Sequence, residues 1–334
     1  MARSLLPFAL RSLLFALCSS LFALRSLLSA LRSNPLAFGG PLRDVACVVP
    51  AAHRKPLWLY HNLLSLDAPL VAVAWLHVFA KSWRLGYHPW EAYVTLGLAV
   101  WVIYVADRLL DVSMLGGASA TLGPQRQFHC DHRRTFSIAM AAALVVVLGL
   151  VLTKMPMTIY KHLLLGGVMV AGFFGLSMLS SRDSGEVSLA KNILAGVTFA
   201  FGTAMMAHLY RWEYGIYDMI FSREFVCFAV LCILKIAAID LWEHAFRSAN
   251  LEIKASDELT LTLPLTLLGG CSLAFALLDN AQSTRPFFYA VLTGAALLYI
   301  LNRNRSQYSL DALRVLANVA LLVPVLVFQV ATGK

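Results

Sequence analysis

The chain has 334 residues, of which 59% are hydrophobic and only 13% are charged. The charged share is about half that of soluble globular proteins, which excludes a soluble domain, a disordered chain and a collagen-like or disulfide-rich scaffold. The chain has 27 Lys and Arg against 18 Asp and Glu. In a membrane protein this excess indicates positively charged segments beside the membrane spans that contact anionic lipid. We therefore expect no nucleic acid as a partner.

The first element, residues 1–44, is an extension rich in Arg, Ser and Leu. The heptapeptide FALRSLL occupies residues 8–14 and recurs at 22–28. Such a repeat is compatible with an amphipathic surface helix, with a targeting segment or with a low-complexity extension, and these interpretations stay open. Residues 45–334 are predicted to form a polytopic membrane domain.

Nine apolar stretches follow, each close to the roughly 20 residues that cross about 30 Å of hydrocarbon. Only helices and closed barrels satisfy backbone hydrogen bonds in lipid, and these stretches lack the alternation of barrel strands. The predicted fold class is therefore an all-α integral membrane protein with about nine transmembrane helices. The stretches are 66–80, 90–106, 136–153, 160–180, 190–209, 224–242, 260–278, 285–302 and 312–330.

Lys and Arg are distributed unequally between the two sets of connections. The N-terminal segment and the even-to-odd connections carry 18 of them, whereas the opposite connections and the C-terminus carry 8. Because positive charge accumulates on the cytoplasmic side, we expect the N-terminus to be cytoplasmic. The same holds for the long polar connections 107–135 and 240–259, which carry the acidic motifs.

Two acidic pairs close apolar stretches on that side. Asp107 and Asp111 are four residues apart, and Asp240 and Glu243 are three apart, so each pair shares one face of a helix. Facing pairs of like charge need a cation between them, and Mg²⁺ takes carboxylates together with substrate phosphates. The alternative is that the acids are solvated caps or partners of nearby Arg residues such as Arg247.

These motifs resemble the UbiA superfamily of intramembrane prenyltransferases. Ala106-Asp107-Arg108-Leu-Leu-Asp111 matches the latter part of that family's first Asp-rich motif. Asp240 and Glu243 match the first two acids of the second motif. Thr262-Leu263-Pro264 resembles its exit, and Asp67-Ala-Pro69 resembles the entry to the family's first span. The resemblance implies a nine-helix bundle that binds Mg²⁺ and an isoprenyl diphosphate at the cytoplasmic side.

The sequence departs from the family pattern at three motif positions. Ile103 and Tyr104 stand where the family has Asn-Asp, and Arg247 stands where the second motif has its last Asp. The four remaining acids are still sufficient in number and type to hold metal.

Basic residues near the motifs are candidates for binding the diphosphate. Arg126, Arg133, Arg134 and Lys191 lie on the same predicted side, and guanidinium groups pair well with phosphate. The alternative is an ordinary positive flank, with Lys191 as a topological anchor. His129, Cys130 and His132 also suggest zinc, but no second ligand pair accompanies them.

The sequence therefore predicts a Mg²⁺-dependent prenyltransferase. It would move an isoprenyl group from a polyprenyl diphosphate to an aromatic or lipid acceptor within the membrane. Its catalytic and metal-binding residues would be Asp107, Asp111, Asp240 and Glu243. The alternative is a non-catalytic or transport-type membrane protein on the same helical scaffold.

Overall fold

The computed structural model describes residues 62–114, 128–129, 132–179, 185–211, 213–247, 251–279 and 284–333. Within these ranges the regular elements are helices. They are α1 (Asp67–Ser82), α2 (Trp90–Met114), α3 (Arg133–Lys154), α4 (Ile159–Leu179), α5 (Gly185–His208), the short α6 (Ile216–Ile220), α7 (Arg223–Arg247), α8 (Leu251–Leu278), α9 (Arg285–Arg303), a 3₁₀ turn (Arg305–Gln307) and α10 (Leu310–Thr332).

Residues 67–334 form one compact unit, and all contacts discussed below lie inside it. Residues 62–66 belong to the preceding unit and form a turn, in which the Ser65 N–H donates to the Asn62 carbonyl at 3.1 Å. The predicted boundary between residues 44 and 45 lies outside the described residues.

Eight of the described helices are long and apolar enough to cross a membrane, so the chain is a multi-pass membrane protein. Each of the nine predicted stretches coincides with a long helix, but α1 has only 16 residues. At 1.5 Å per residue it measures about 24 Å, which is less than the roughly 30 Å of a hydrocarbon core. Eleven of its 16 residues are buried by other helices, so little of the α1 surface is left to contact lipid.

The second polar connection differs from its prediction. The sequence predicts a long connection at 240–259, whereas α7 continues to Arg247 and α8 begins at Leu251. The reason is that polar side chains in this region pair with each other. His244 Nδ1 of α7 lies 2.9 Å from Asp257 Oδ2 of α8. This contact joins the polar ends of the two helices, so both helices extend beyond the apolar stretches.

Aromatic residues around α1 form the core of the bundle. The Trp75 ring stacks on Phe228 of α7 at 4.4 Å between centroids, and Phe287 of α9 packs edge-on against Trp75 at 5.7 Å. The Trp75 Nε1–H donates a 2.8 Å hydrogen bond to the Leu321 carbonyl of α10. The first and last described long helices are therefore joined at the centre of the unit.

Helices α5 and α7 approach each other closely at a glycine. A Cβ placed on Gly196 would lie 2.7 Å from backbone atoms of Ile233, so only a residue without a side chain fits this crossing. In contrast, α3 and α4 lie at the periphery, with 17% and 6% of their apolar windows buried. Their exposed residues, such as Val145 and Leu164, form surfaces suited to lipid.

Candidate functional site

The acidic motifs lie near the C-terminal ends of α2 and α7. The Asp107 side chain is half-buried on α2, the Asp240 side chain is exposed on α7, and Glu243 is half-buried almost one turn later. Asp111 belongs to α2, but its side chain lies outside the described residues. Three of the four predicted acids can therefore be placed with their contacts.

A narrow cavity lies about one helical turn deeper in the bundle than these acids. It is bordered by α1, α2, α5, α7 and α10, and its polar lining residues are Tyr104, Lys235 and Asn318. Phe199, Leu321 and Val71 supply apolar wall. Because Tyr104 precedes Asp107 on α2 and Lys235 precedes Asp240 on α7, both acid-bearing helices contribute to one cavity.

Charged groups from three helices surround this cavity. Half-buried Lys235 lies within electrostatic range of Asp67 on α1 and Arg108 on α2. The Asn318 Nδ2–H donates a 3.1 Å hydrogen bond to Asp67 Oδ2. The buried Oδ1 of Asn318 accepts no hydrogen bond from the described residues. The cavity has a volume of about 10 Å³, which is room for about one water molecule beside this oxygen.

Asp240 is held by a neighbouring helix. The Asn192 Nδ2–H of α5 donates a 3.0 Å hydrogen bond to Asp240 Oδ2. Lys191, the adjacent residue on α5, is half-buried, and its Nζ lies 5.6 Å from the Phe173 ring centroid on α4. The close crossing of α5 and α7 at Gly196 lies one turn further along α5. It holds the two helices close enough for the Asn192–Asp240 hydrogen bond.

Glu243 has a different environment from Asp240. Arg314 on α10 donates to its Oε1 at 2.6 Å, and Arg247 donates to its Oε2 at 3.3 Å. Arg314 also donates to Asp311 at 3.2 Å. Both carboxylate oxygens of Glu243 thus accept from guanidinium groups, which matches the alternative that the acids pair with nearby Arg residues.

The remaining predicted phosphate-binding residues are less confined. Arg133 and Arg134 are exposed at the start of α3, and neither forms an ion pair with another described residue. Arg126 lies outside the described residues. The structure therefore brings Lys191 next to the Asn192–Asp240 pair and does not connect Arg133 or Arg134 to it by a contact.

The histidines near α3 make ring and backbone contacts. His129 is buried and stacks on Phe136 with 4.4 Å between centroids, and His132 Nδ1 lies 3.1 Å from the Phe128 carbonyl oxygen. Cys130 lies outside the described residues, so the zinc alternative stays untested.

The available donors fit Mg²⁺ in chemistry. Asp107 and Asp240 offer carboxylate oxygens, which this hard cation prefers. Among the residues with described positions, no group of three His, Cys, Asp or Glu side chains is close enough to hold a metal. Binding of Mg²⁺ therefore stays a prediction from the residue types in the two motifs.

Sequence reasoning missed Arg314 and Asn318. A polar residue such as Asn318 within the apolar run of α10 is a signal of function or buried pairing. Arg314 lies three residues after Asp311, a spacing that is typical of ion-pair partners on a helix.

Comparisons with protein-family models, curated proteins and solved structures gave no match. The resemblance to the UbiA superfamily therefore rests on the motif residues quoted above.

Proposed function

We propose that the protein is a Mg²⁺-dependent intramembrane prenyltransferase. It transfers an isoprenyl group from a polyprenyl diphosphate to an aromatic or lipid acceptor. The observation that carries the proposal is the shared cavity. Tyr104, which precedes Asp107, and Lys235, which precedes Asp240, line the same narrow cavity inside an apolar bundle. An ionisable residue inside a membrane domain is expected to have a functional partner.

Each group near the cavity has a role in this proposal. Asp107, Asp111 and Asp240 hold Mg²⁺, which when bound neutralises charge on the diphosphate leaving group. Lys191 and the three Arg residues predicted from the sequence bind phosphate oxygens. The cavity next to Phe199 and Leu321 has a volume of about 10 Å³, so the helices around it separate when the prenyl chain binds. These apolar side chains then keep water from the reacting carbon. Asn318 Oδ1 accepts a hydrogen bond from the acceptor substrate.

Glu243 takes a supporting role in the proposal, which changes the expectation from the sequence. A metal would have to displace Arg314 and Arg247 from its oxygens. We therefore assign Glu243 to holding α7 against α10, so that Asp240 stays positioned one turn away.

The proposal also includes the membrane topology. Here α1 is the ninth membrane helix, enclosed by its neighbours, and the ends of α2 and α7 that carry the acids face the cytoplasm. Labelling of single cysteines introduced at exposed positions tests this orientation. Cysteines at Arg133 and at Tyr217 should react from opposite sides of sealed vesicles.

The test of function is Mg²⁺-dependent release of diphosphate from prenyl diphosphates of several chain lengths by the purified full chain. Asp107→Asn and Asp240→Asn should each lower the rate on the order of 100-fold, since a bound metal supplies several kcal/mol of charge stabilisation. The control Asp279→Asn removes a carboxylate just after the C-terminal end of α8, at the opposite end of the bundle from Asp107 and Asp240. It should leave the rate unchanged. Equal rates for all three variants and the wild type would contradict the site.

A non-catalytic or transport-type protein remains the second candidate, because guanidinium groups neutralise Glu243. Thermal unfolding separates the two candidates. A prenyltransferase is stabilised by Mg²⁺ and prenyl diphosphate together, whereas a scaffold without the site shows no shift at any chain length.

A further inference from the structure

A groove of about 520 Å³ opens at the end of the bundle opposite Asp107 and Asp240. It lies where α1 ends and α7 begins, and the segment between α5 and α7 forms one side. Four of its lining residues are charged, namely Arg84, Arg211, Asp218 and Glu224. This groove shares no lining residue with the cavity next to Tyr104 and Lys235.

Aromatic rings hold one of the guanidinium groups in position. The central carbon of the Arg211 guanidinium lies 4.6 Å from the Trp83 ring centroid and 3.9 Å from that of Tyr214. Stacking of this kind covers guanidinium faces and leaves the N–H donors at the edge of the plane. No carboxylate among the described residues lies within ion-pair distance of Arg211. Its donors are therefore oriented and available.

A second guanidinium group reaches the groove from an unusual backbone conformation. Arg84 has φ 53°, in the left-handed region, which is uncommon for a residue other than glycine. The backbone N–H of Arg84 donates a 3.1 Å hydrogen bond to the Lys81 carbonyl oxygen. This hydrogen bond belongs to the turn that follows α1. Such strained residues concentrate at functional sites.

The two acids of the groove are engaged differently. Asp218 Oδ2 accepts a 2.7 Å hydrogen bond from the Gly215 N–H. Glu224 lies in the first turn of α7, where the helix dipole favours negative charge. Backbone groups therefore compensate the acids, whereas the side-chain donors of Arg84 and Arg211 have no carboxylate partner in the described ranges.

Exposed aromatic residues stand beside the groove. Tyr217 and Phe221 are 74% and 78% exposed and lie at the level where the long helices end. Aromatic side chains at this level are typical of a membrane–water interface. A ligand at this position is therefore within reach of the lipid headgroups.

We propose that this groove binds the phosphate group of a membrane phospholipid, with Arg84 and Arg211 donating hydrogen bonds to the phosphate oxygens. A phosphate diester offers the acceptor geometry that guanidinium groups match. The acyl chains then extend beside Tyr217 and Phe221 into the bilayer. The site is independent of the prenyltransferase proposal, because it lies at the other end of the bundle.

The test is phospholipid binding by the full chain in detergent, measured by native mass spectrometry and by thermal unfolding. The probes are phosphatidylglycerol, diacylglycerol with the same acyl chains, and inorganic phosphate alone. The test variant is Arg84→Gln/Arg211→Gln. The control variant Lys81→Gln/Lys161→Gln removes the same charge from exposed residues at the same end of the bundle that do not line the groove.

We expect the wild type and the control to bind phosphatidylglycerol equally. The test variant should bind it at least about tenfold more weakly, as expected for lost charge-assisted hydrogen bonds. Diacylglycerol and inorganic phosphate should give little stabilisation. Equal binding by both variants overturns the proposal, as does equal binding of diacylglycerol, and stabilisation by phosphate alone would indicate a soluble anion instead. If the double variant does not fold, the single variant Arg84→Gln, which changes an exposed residue, is compared with the wild type and the control in the same way.

Discussion

The Arg314 guanidinium on α10 donates a 2.6 Å hydrogen bond to Glu243 Oε1 on α7, and Asp240 lies three residues earlier on the same helix. Asp240 accepts a 3.0 Å hydrogen bond from the amide of Asn192 on α5. The two acids of one motif thus contact different helices. Glu243 accepts from two guanidinium groups, one of them on α10, and Asp240 accepts from a side chain of α5.

This difference predicts unequal effects of two isosteric substitutions. Asp240→Asn should lower Mg²⁺-dependent diphosphate release on the order of 100-fold, while Glu243→Gln should lower the apparent unfolding temperature and change the rate far less. Removing the Glu243 charge leaves half-buried Arg314 with Asp311 as its one ion-pair partner among the described residues. Assays of both purified variants at saturating Mg²⁺ make the comparison, and similar rate losses in the two would return Glu243 to the metal site.

A second prediction concerns the α5–α7 crossing. Gly196→Ala places a Cβ 2.7 Å from the Ile233 backbone, and overpacking of this kind costs about 1–3 kcal/mol. Gly202→Ala is the matched control, since a Cβ there has no atom within 4 Å and alanine favours the helix by up to about 1 kcal/mol. Thermal unfolding in detergent should therefore separate the two variants in opposite directions. If Gly196→Ala is as stable as Gly202→Ala, the helices are not in contact there.

Much of the fold follows from the sequence, because long apolar runs have few stable structures in lipid. Every predicted stretch from 66–80 to 312–330 coincides with a long helix. The sequence did not reveal that α1 is enclosed by other helices. Lipid tails and protein interiors are similarly apolar, so hydrophobicity alone does not distinguish a lipid-facing helix from a protein-facing one.

The candidate site was less accessible to sequence reasoning. Sequence spacing places acids on one helix face, but it carries no information on partners that are distant in the chain. Asn318 binds Asp67 across 251 positions, and Arg314 binds Glu243 across 71. Helix packing determines both contacts, and packing decides which acids keep an accessible charge.

A third prediction concerns the polar contacts that join α7, α8 and α9. The Trp242 Nε1–H donates to Asn302 Oδ1 at 3.0 Å, and the Asn302 amide donates to the Glu258 carbonyl at 3.1 Å. Asn302 is 1% exposed. Asn302→Ala leaves the buried Trp242 Nε1–H without its acceptor and should cost about 1–3 kcal/mol.

A double-mutant cycle checks this assignment. Trp242→Phe removes the indole donor, so Asn302→Ala should cost less in that background than in the wild type. Additive changes in unfolding free energy would show that the indole and the amide do not interact.

A fourth prediction concerns the connection between α1 and α2. Burial, with a smaller contribution from the nearby His77, lowers the pKa of His88 from 6.5 to about 4, although a contact with the Met206 backbone acts in the opposite direction. The Tyr93 and Tyr210 rings pack against His88 with centroids at 4.8 and 5.1 Å. Between pH 6.5 and 4 the unfolded chain binds a proton that the folded state excludes, so stability should fall as the pH falls.

The measurement compares unfolding temperatures at pH 7.5 and pH 5 for the wild type and His88→Phe. The variant keeps a ring between the two tyrosines and lacks the titrating group, so its loss of stability on acidification should be smaller. An identical loss in both proteins would show that His88 does not contribute to the acid sensitivity.

The central position of α1 also has a consequence for synthesis in the cell. Trp75 and its acceptor Leu321 are separated by 246 residues, which at about 5–20 residues per second corresponds to roughly 12–50 s of translation. Phe228 of α7 and Phe287 of α9 follow Trp75 sooner, so α10 is the last of these helices to enclose α1. Ribosome-bound chains stopped before Leu310 should therefore leave α1 more accessible to added protease than chains released after α10.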